Sequence, residues 1–223
     1  MIILSILESK LLRRRAECFP PIPHQLSDVV IAGEWACTWD DRRHLPCLDN
    51  NWGMAVFLTD DNARRPMLRR CDQIFIGGTF RTATHPYRQL VTIHGFFRDT
   101  VVPLCFCLLS GKTVGHYRQL LLHVRRKLRQ LGHRTWHSQN VICDFEVALI
   151  TAIHTELPRT RVRGCYFHFS QALWREVSSL GIVTAYSSNS RSGRRLRKIV
   201  QKIMSVGFLP TPVIARTFQV TLC

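Results

Sequence analysis

Asp144 closes the run Asn140-Val141-Ile142-Cys143, where a short apolar stretch meets a polar boundary. In open α/β sheets, ligands gather outside the C-terminal ends of the strands, so a carboxylate here is well placed for chemistry. Two or three carboxylates converging at such a point hold the pair of divalent ions that activates a nucleophile and steadies a leaving oxygen. Asp144 also reads as the cap of a helix starting at Phe145, a position that Asp favours. Cys165 and His168 stand in Cys-x-x-His spacing, which is half of a tetrahedral zinc site. Cys143, Cys107 and His94 are the residues that neighbouring strands could add, although no spacing requires it. Otherwise Cys165 is a small core residue and His168 belongs to the start of a helix. Cys37, His44 and Cys47 form an irregular set that reads as the relic of a zinc-binding module. Gly77 and Gly78 follow the apolar Ile74-Phe75-Ile76, and glycines inside a strand mark a bulge or a close backbone approach.

Positioning these residues falls to a regular succession of elements. Residues 1–52 are irregular, with prolines in CFPPIPHQ and mixed tryptophans, charges and cysteines after them. WGMAVFLTDD (52–61) reads as a strand and NARRPMLRRC (62–71) as a short helix or turn. Strands then follow at 73–80, 89–97 and 100–109, separated by hairpin-length intervals, so these three are expected to pair antiparallel. The period changes at Val114: Val114, Tyr117, Leu121, Val124, Leu128 and Leu131 recur every three or four residues, a helix with one apolar stripe. A short strand (NVICD), a helix ended by Pro158 (FEVALITAIHTEL), a strand (TRVRGCYF) and a helix closed by Gly181 (HFSQALWREVSSLG) come next. SSNSRSG (187–193) reads as a linker, and LRKIVQKIMSVGFL (196–209) as a basic amphipathic helix stopping at Pro-Thr-Pro. This β-β-β-α-β-α-β-α order is that of ribonuclease H-like nuclease and integrase domains. There the first strand lies beside the fourth in mid-sheet, which would set the region of Gly77 against Asp144.

Charge narrows the partners. The chain has 223 residues, 46% of them hydrophobic, as in a globular protein with a real core. Lys and Arg number 31 against 15 Asp and Glu, a net charge of +16, and no acid follows Glu176. Such a surface attracts polyanions, nucleic acid before anionic membrane, although a solvated basic face is the plainer reading. Arg125, Arg126, Lys127 and Arg129 lie on the long helix. Arg194, Arg195, Arg197, Lys198 and Lys202 lie on the later one. Both sets suit phosphate contacts without base readout. Nine scattered cysteines, an odd number, give no disulfide framework and favour a reducing compartment. MIILSIL is followed by its basic cluster rather than preceded by it, the wrong order for a secretory signal, and no apolar run is long enough to span a membrane.

DQIFIGGTFRTATHPYRQLVTIHG, VPLCFCLLSGKTVGHYRQLLLHV, VICDFEVALITAI and VRGCYFHFSQALWREVSSLG resemble, in order and spacing, the transposase domain of Mutator-like elements (MULE), over about 55 to 215. The resemblance implies a ribonuclease H-like α/β fold, an Asp-Asp-Glu triad binding Mg2+ or Mn2+, and metal-dependent DNA cleavage and strand transfer in the nucleus. It puts the second Asp at Asp144 and the Cys-x-x-His pair at Cys165 and His168, with His168 turned toward the active centre. The first Asp falls on Gly77, in Gly-Gly-Thr-Phe where similar proteins read Asp-Gly-Thr-Phe. Asp72 is no substitute, being roughly 16 Å upstream on the opposite face. The third acid, a Glu, comes from a helix beyond an α-helical insertion, near whose start this chain ends. Glu176 reads as a surface residue.

The expected organisation is therefore an N-terminal lead-in (1–52), a ribonuclease H-like core (53–182), and a linker with a basic helix opening the insertion (183–223). The expected function is that of a transposase-derived protein that binds double-stranded DNA with little sequence preference and lacks cleavage activity as this chain. Zinc binding and a homo-oligomeric state stay open. The rival readings are a non-catalytic regulatory protein retained by a host, and a pseudogene product that folds poorly.

Overall fold

The computed structural model describes residues 23–37, 47–58, 71–79, 82–130, 136 and 138–222, and single residues at 10, 13, 14 and 17. The apolar start at 1–7, His44, the segment 62–70 read as a helix or turn, and Phe80 lie outside the described residues. Among the described residues there are seven strands: β1 (Cys47–Asp49), β2 (Met54–Leu58), β3 (Gln73–Thr79), β4 (Gln89–Phe97), β5 (Thr100–Leu109), β6 (Asn140–Cys143) and β7 (Arg161–Gly164). They form one mixed sheet in the order β1-β2-β5-β4-β3-β6-β7. The expected antiparallel meander is β3-β4-β5, extended by β2 and β1 on the far side of β5. The strand of Gly77 pairs with the strand before Asp144, and the pairing is parallel.

Strand alternation gives the sheet two unequal faces. Ile74 and Ile76 of β3, Val91 and Ile93 of β4, and Cys105, Cys107 and Leu109 of β5 are buried. Over them pack helices α1 (Val114–Gln130) and α2 (Val147–Glu156), with Tyr117, Leu120, Leu121, Val124 and Leu128 from the first and Leu149, Ala152 and Ile153 from the second. The apolar stripe read from the sequence is the face that α1 buries. On the other face a smaller cluster of Val29, Ala36, Ala55 and Tyr87 covers β2 and its neighbour β5. Helices α3 (Tyr166–Ser179), α4 (Val183–Ser187), α5 (Arg191–Ser205) and α6 (Thr211–Leu222) follow β7.

Several boundaries differ from the sequence reading; the strand read to Phe167, for instance, ends at Gly164, and the following helix starts at Tyr166. The 1–52 lead-in contains β1, which pairs with β2. The helix expected at Phe145 begins at Val147, with Glu146 as its N-cap. The segment 187–193 is not a linker throughout. Ser190 caps α5, its hydroxyl accepting from Gly193 N at 3.1 Å, so the helix starts at Arg191. The helix expected to run to Pro-Thr-Pro stops at Ser205, and Pro-Thr-Pro instead opens α6, whose second residue is Pro212, because proline suits the first turn of a helix.

Glu156 ties the helices together. Its side chain is 7% exposed, accepts from Arg118 Nε at 2.8 Å and from Arg125 Nη1 at 3.3 Å, and its carbonyl accepts from Arg125 Nη1 at 3.0 Å. The charge-assisted bonds offset the desolvation of the acid and staple α1 to the end of α2. Glu156→Ala is expected to destabilise the fold by about 1–3 kcal/mol, because charged hydrogen bonds are lost while the partly exposed guanidinium groups regain water. A denaturant midpoint unchanged by that substitution would refute the staple.

Candidate active site

Asp144 follows β6 by one residue, and Gly77 follows Ile76, which is paired with Cys143. The register therefore makes Gly77 and Asp144 neighbours across the β3–β6 pair. They face the side opposite to buried Ile76 and Cys143, because successive side chains alternate. A Cβ built on Gly77 would meet nothing within 4 Å. Gly77 thus marks neither a bulge nor a close approach. The β3–β4 ladder runs unbroken from Ile74 to Thr79, and the irregularity in the meander lies between Ile93 and His94 of β4, against β5. Gly78 is the tight one. A Cβ there would come within 3.0 Å of Gln89 Oε1.

Asp144 is not a helix cap. Its Oδ1 accepts from Phe145 N at 2.7 Å, holding the loop between β6 and α2 in place. The carboxylate is 37% exposed and lies 3.9 Å from His168 Nδ1, too far for a hydrogen bond. That nitrogen is buried and has no hydrogen-bond partner. His168 stands in the first turn of α3, and Cys165 is the N-cap of that helix, its N–H donating to Cys143 O at 2.8 Å. The parallel β6–β7 pairing therefore delivers both members of the Cys-x-x-His pair to the Asp144 end of the sheet. Glu176 is exposed on α3, and Asp72 is exposed at the other end of β3.

Three polar residues here escaped the sequence reading. Tyr117 Oη lies 2.9 Å from Glu146 Oε2 and 3.1 Å from Gln89 Oε1, while Gln89 Nε2 donates to Gly111 O at 2.8 Å. The single phenolic proton is shared between two acceptors, which joins α1, the start of α2 and the start of β4. Burial pushes the Tyr117 hydroxyl well above its ordinary pKa, so it serves as a neutral donor. The bulk-free Gly78 leaves room for Gln89 in this network. A hint was present in Asp144-Phe145-Glu146, two acids two residues apart, but Tyr117 and Gln89 looked like ordinary helix and strand residues.

The donor set does not fit a pair of divalent ions. Among the described residues, no group of three or more His, Cys, Asp or Glu side chains is arranged to hold a metal. Glu146 is turned to Tyr117, and the position across from Asp144 carries no side chain. The cysteines considered as zinc partners are poor thiolates. Burial raises Cys143 to about 11, with the nearby charges of Asp144 and Cys165 adding to it, and raises Cys107 well above the ordinary thiol value. His94 is lowered by burial.

The cations divide into two kinds. Arg125 is engaged by Glu156, and Arg197 Nη1 donates to Tyr186 O and Ser188 O at 2.5 and 2.7 Å, closing the carbonyl end of α4. These two hold the fold. Arg126 and Arg129 are exposed on α1 and Lys127 is half-buried. On α5, Arg191, Arg194, Arg195, Lys198 and Lys202 are exposed, with Arg194 Nη1 also donating to Asn189 O at 2.5 Å. Their spacing puts all five on one side of the helix. Val200 is buried on the other.

A comparison with protein-family models matches residues 73–172, just under half of the chain, to the MULE transposase domain. The matched span runs from the first residue of β3 into α3 and contains Gly77, Asp144, Cys165 and His168. No curated protein matches the chain.

Proposed function

We propose, for a chain whose residues 73–172 match the MULE transposase domain, that it binds double-stranded DNA through phosphate contacts and does not cleave it unaided. One observation carries the reading: the position beside Asp144 is Gly77, so a single strand-end carboxylate faces open space. Two-metal strand breakage draws on several carboxylates at once. The sheet order supports the ribonuclease H-like assignment, with the β3–β6 parallel pair in the interior and the meander on one side of it. The basic stripe of α5 supports the DNA assignment. It has a regular spacing that matches a polyanion, and the opposite side of the helix is buried at Val200.

In the ancestral reaction Mg2+ or Mn2+ would supply the Lewis acid. The residues left to this chain are Asp144, as one ligand, and His168 beside it. The likeness to Mutator-like transposases is the ground for proposing a nuclear site of action. The reading of a regulatory, non-catalytic DNA-binding protein is favoured by the same Gly77, since binding through α1 and α5 needs no acid there.

The purified protein, incubated with supercoiled plasmid and either Mg2+ or Mn2+, is expected to retard the plasmid without nicking it. Metal-dependent nicking that disappears in Asp144→Ala would overturn the inactivity, and no retardation at low salt would overturn DNA binding.

A further inference from the structure

Phe145 and Phe167 are each one residue from a member of the Asp144–His168 pair, and they are 56% and 64% exposed. Val147, two residues after Phe145, is 77% exposed. Large apolar side chains in a group at a polar centre signal a contact surface rather than ordinary scatter.

Both rings are held in place. Phe145 lies against Gly164, where any Cβ would collide with the ring, and its own N–H is fixed on Asp144 Oδ1 at 2.7 Å. Phe167 meets the His168 ring edge to face, with centroids 5.5 Å apart. Rigid aromatic faces lose little entropy when a flat partner stacks on them. Asp144 and Glu146 flank Phe145, the latter held by Tyr117, and it is the wider, cationic surroundings that select the charge of that partner. The strand leading to the rim exposes Arg161 and Arg163, and beyond Glu156 the chain carries eleven Lys and Arg against one acid, Glu176. An anionic chain bearing flat apolar rings is nucleic acid with its bases unpaired, since duplex stacking hides those faces.

We propose that Phe145 and Phe167 form a stacking platform for unpaired nucleobases, giving the Asp144 end of the sheet a preference for single-stranded or frayed DNA. This rests on the DNA-binding reading above and adds a substrate class to it. Fluorescence anisotropy with a mixed-sequence 20-nucleotide strand and its blunt duplex tests it. The unaltered protein should bind the single strand more tightly. Phe145→Ala with Phe167→Ala should weaken single-strand binding about thirtyfold or more, since each of the two stacked bases contributes about 1–3 kcal/mol, and leave duplex binding within about twofold. Phe145→Leu with Phe167→Leu, which keeps apolar bulk but removes the flat faces, should also lose the preference. Leu180→Ala, an exposed apolar control on the far end of α3, should keep it. Equal losses on both DNAs, or full single-strand affinity in the leucine variant, would overturn the platform while leaving DNA binding intact. A rim that instead mediates ring-dependent self-association without a strand preference would overturn it too. Failure to bind either DNA would remove the premise as well.

Discussion

Raising the salt from 50 to 200 mM is expected to weaken binding to random-sequence duplex about a hundredfold. Each phosphate neutralised by Lys or Arg releases a condensed counterion, so the logarithm of affinity falls by about 0.9 per contact per decade of salt. About four contacts, which the exposed stripe of Arg191, Arg194, Arg195, Lys198 and Lys202 can supply from one helix face, give that loss. Arg195→Ala with Lys198→Ala should then reduce the salt slope by about two, uniformly across DNA sequences. Arg197→Ala should act differently. Its guanidinium holds the end of α4, so thermal stability should fall while the slope of the remaining folded protein is preserved. Binding that ignores salt would refute the phosphate-contact model.

The second large effect is a gain. Gly77→Asp is expected to raise Mn2+ affinity by about tenfold or more, measured by calorimetry, because hard divalent ions are commonly held by one or two carboxylates. Nothing stands within 4 Å of the new Cβ, so the substitution meets no steric barrier. The register points it to the side on which Asp144 lies. Without an ion, two adjacent carboxylates repel and one is driven toward its protonated form, so the gain should be greatest above the carboxylate range and fade as the pH drops into it. Nicking should still be absent, since one further acid does not complete the cage. If calorimetry shows no change in Mn2+ binding, the Gly77–Asp144 juxtaposition is wrong. Nicking by the Gly77→Asp protein would show that two carboxylates suffice.

Much of the architecture was legible because it is written in local periodicity. The stripe from Val114 to Leu128 could only be an amphipathic helix, and the apolar alternation of 73–79, 89–97 and 100–109 with short intervals could only pair as a meander. The misread boundaries turn on local hydrogen bonds: Ser190 capping α5, and Asp144 binding Phe145 N so that α2 starts only after Glu146. β1 was hidden because three half-buried residues have no period to recognise.

At the site, sequence alone determined the absence of an acid at Gly77, the presence of Asp144, the Cys-x-x-His spacing and the clustering of charge. These are matters of residue identity. Tertiary structure decided which of them meet and which cations are already engaged. Arg125 looked as available as Arg126 until a carboxylate 31 residues away claimed it. His168 came to Asp144 through the pairing of β6 with β7, and Gly77 and Gly78, identical in the chain, parted roles because one faces open space and the other Gln89. The physical reason is range: backbone propensity acts over a few residues, whereas burial, ion pairing and steric room depend on neighbours that only the folded chain brings together.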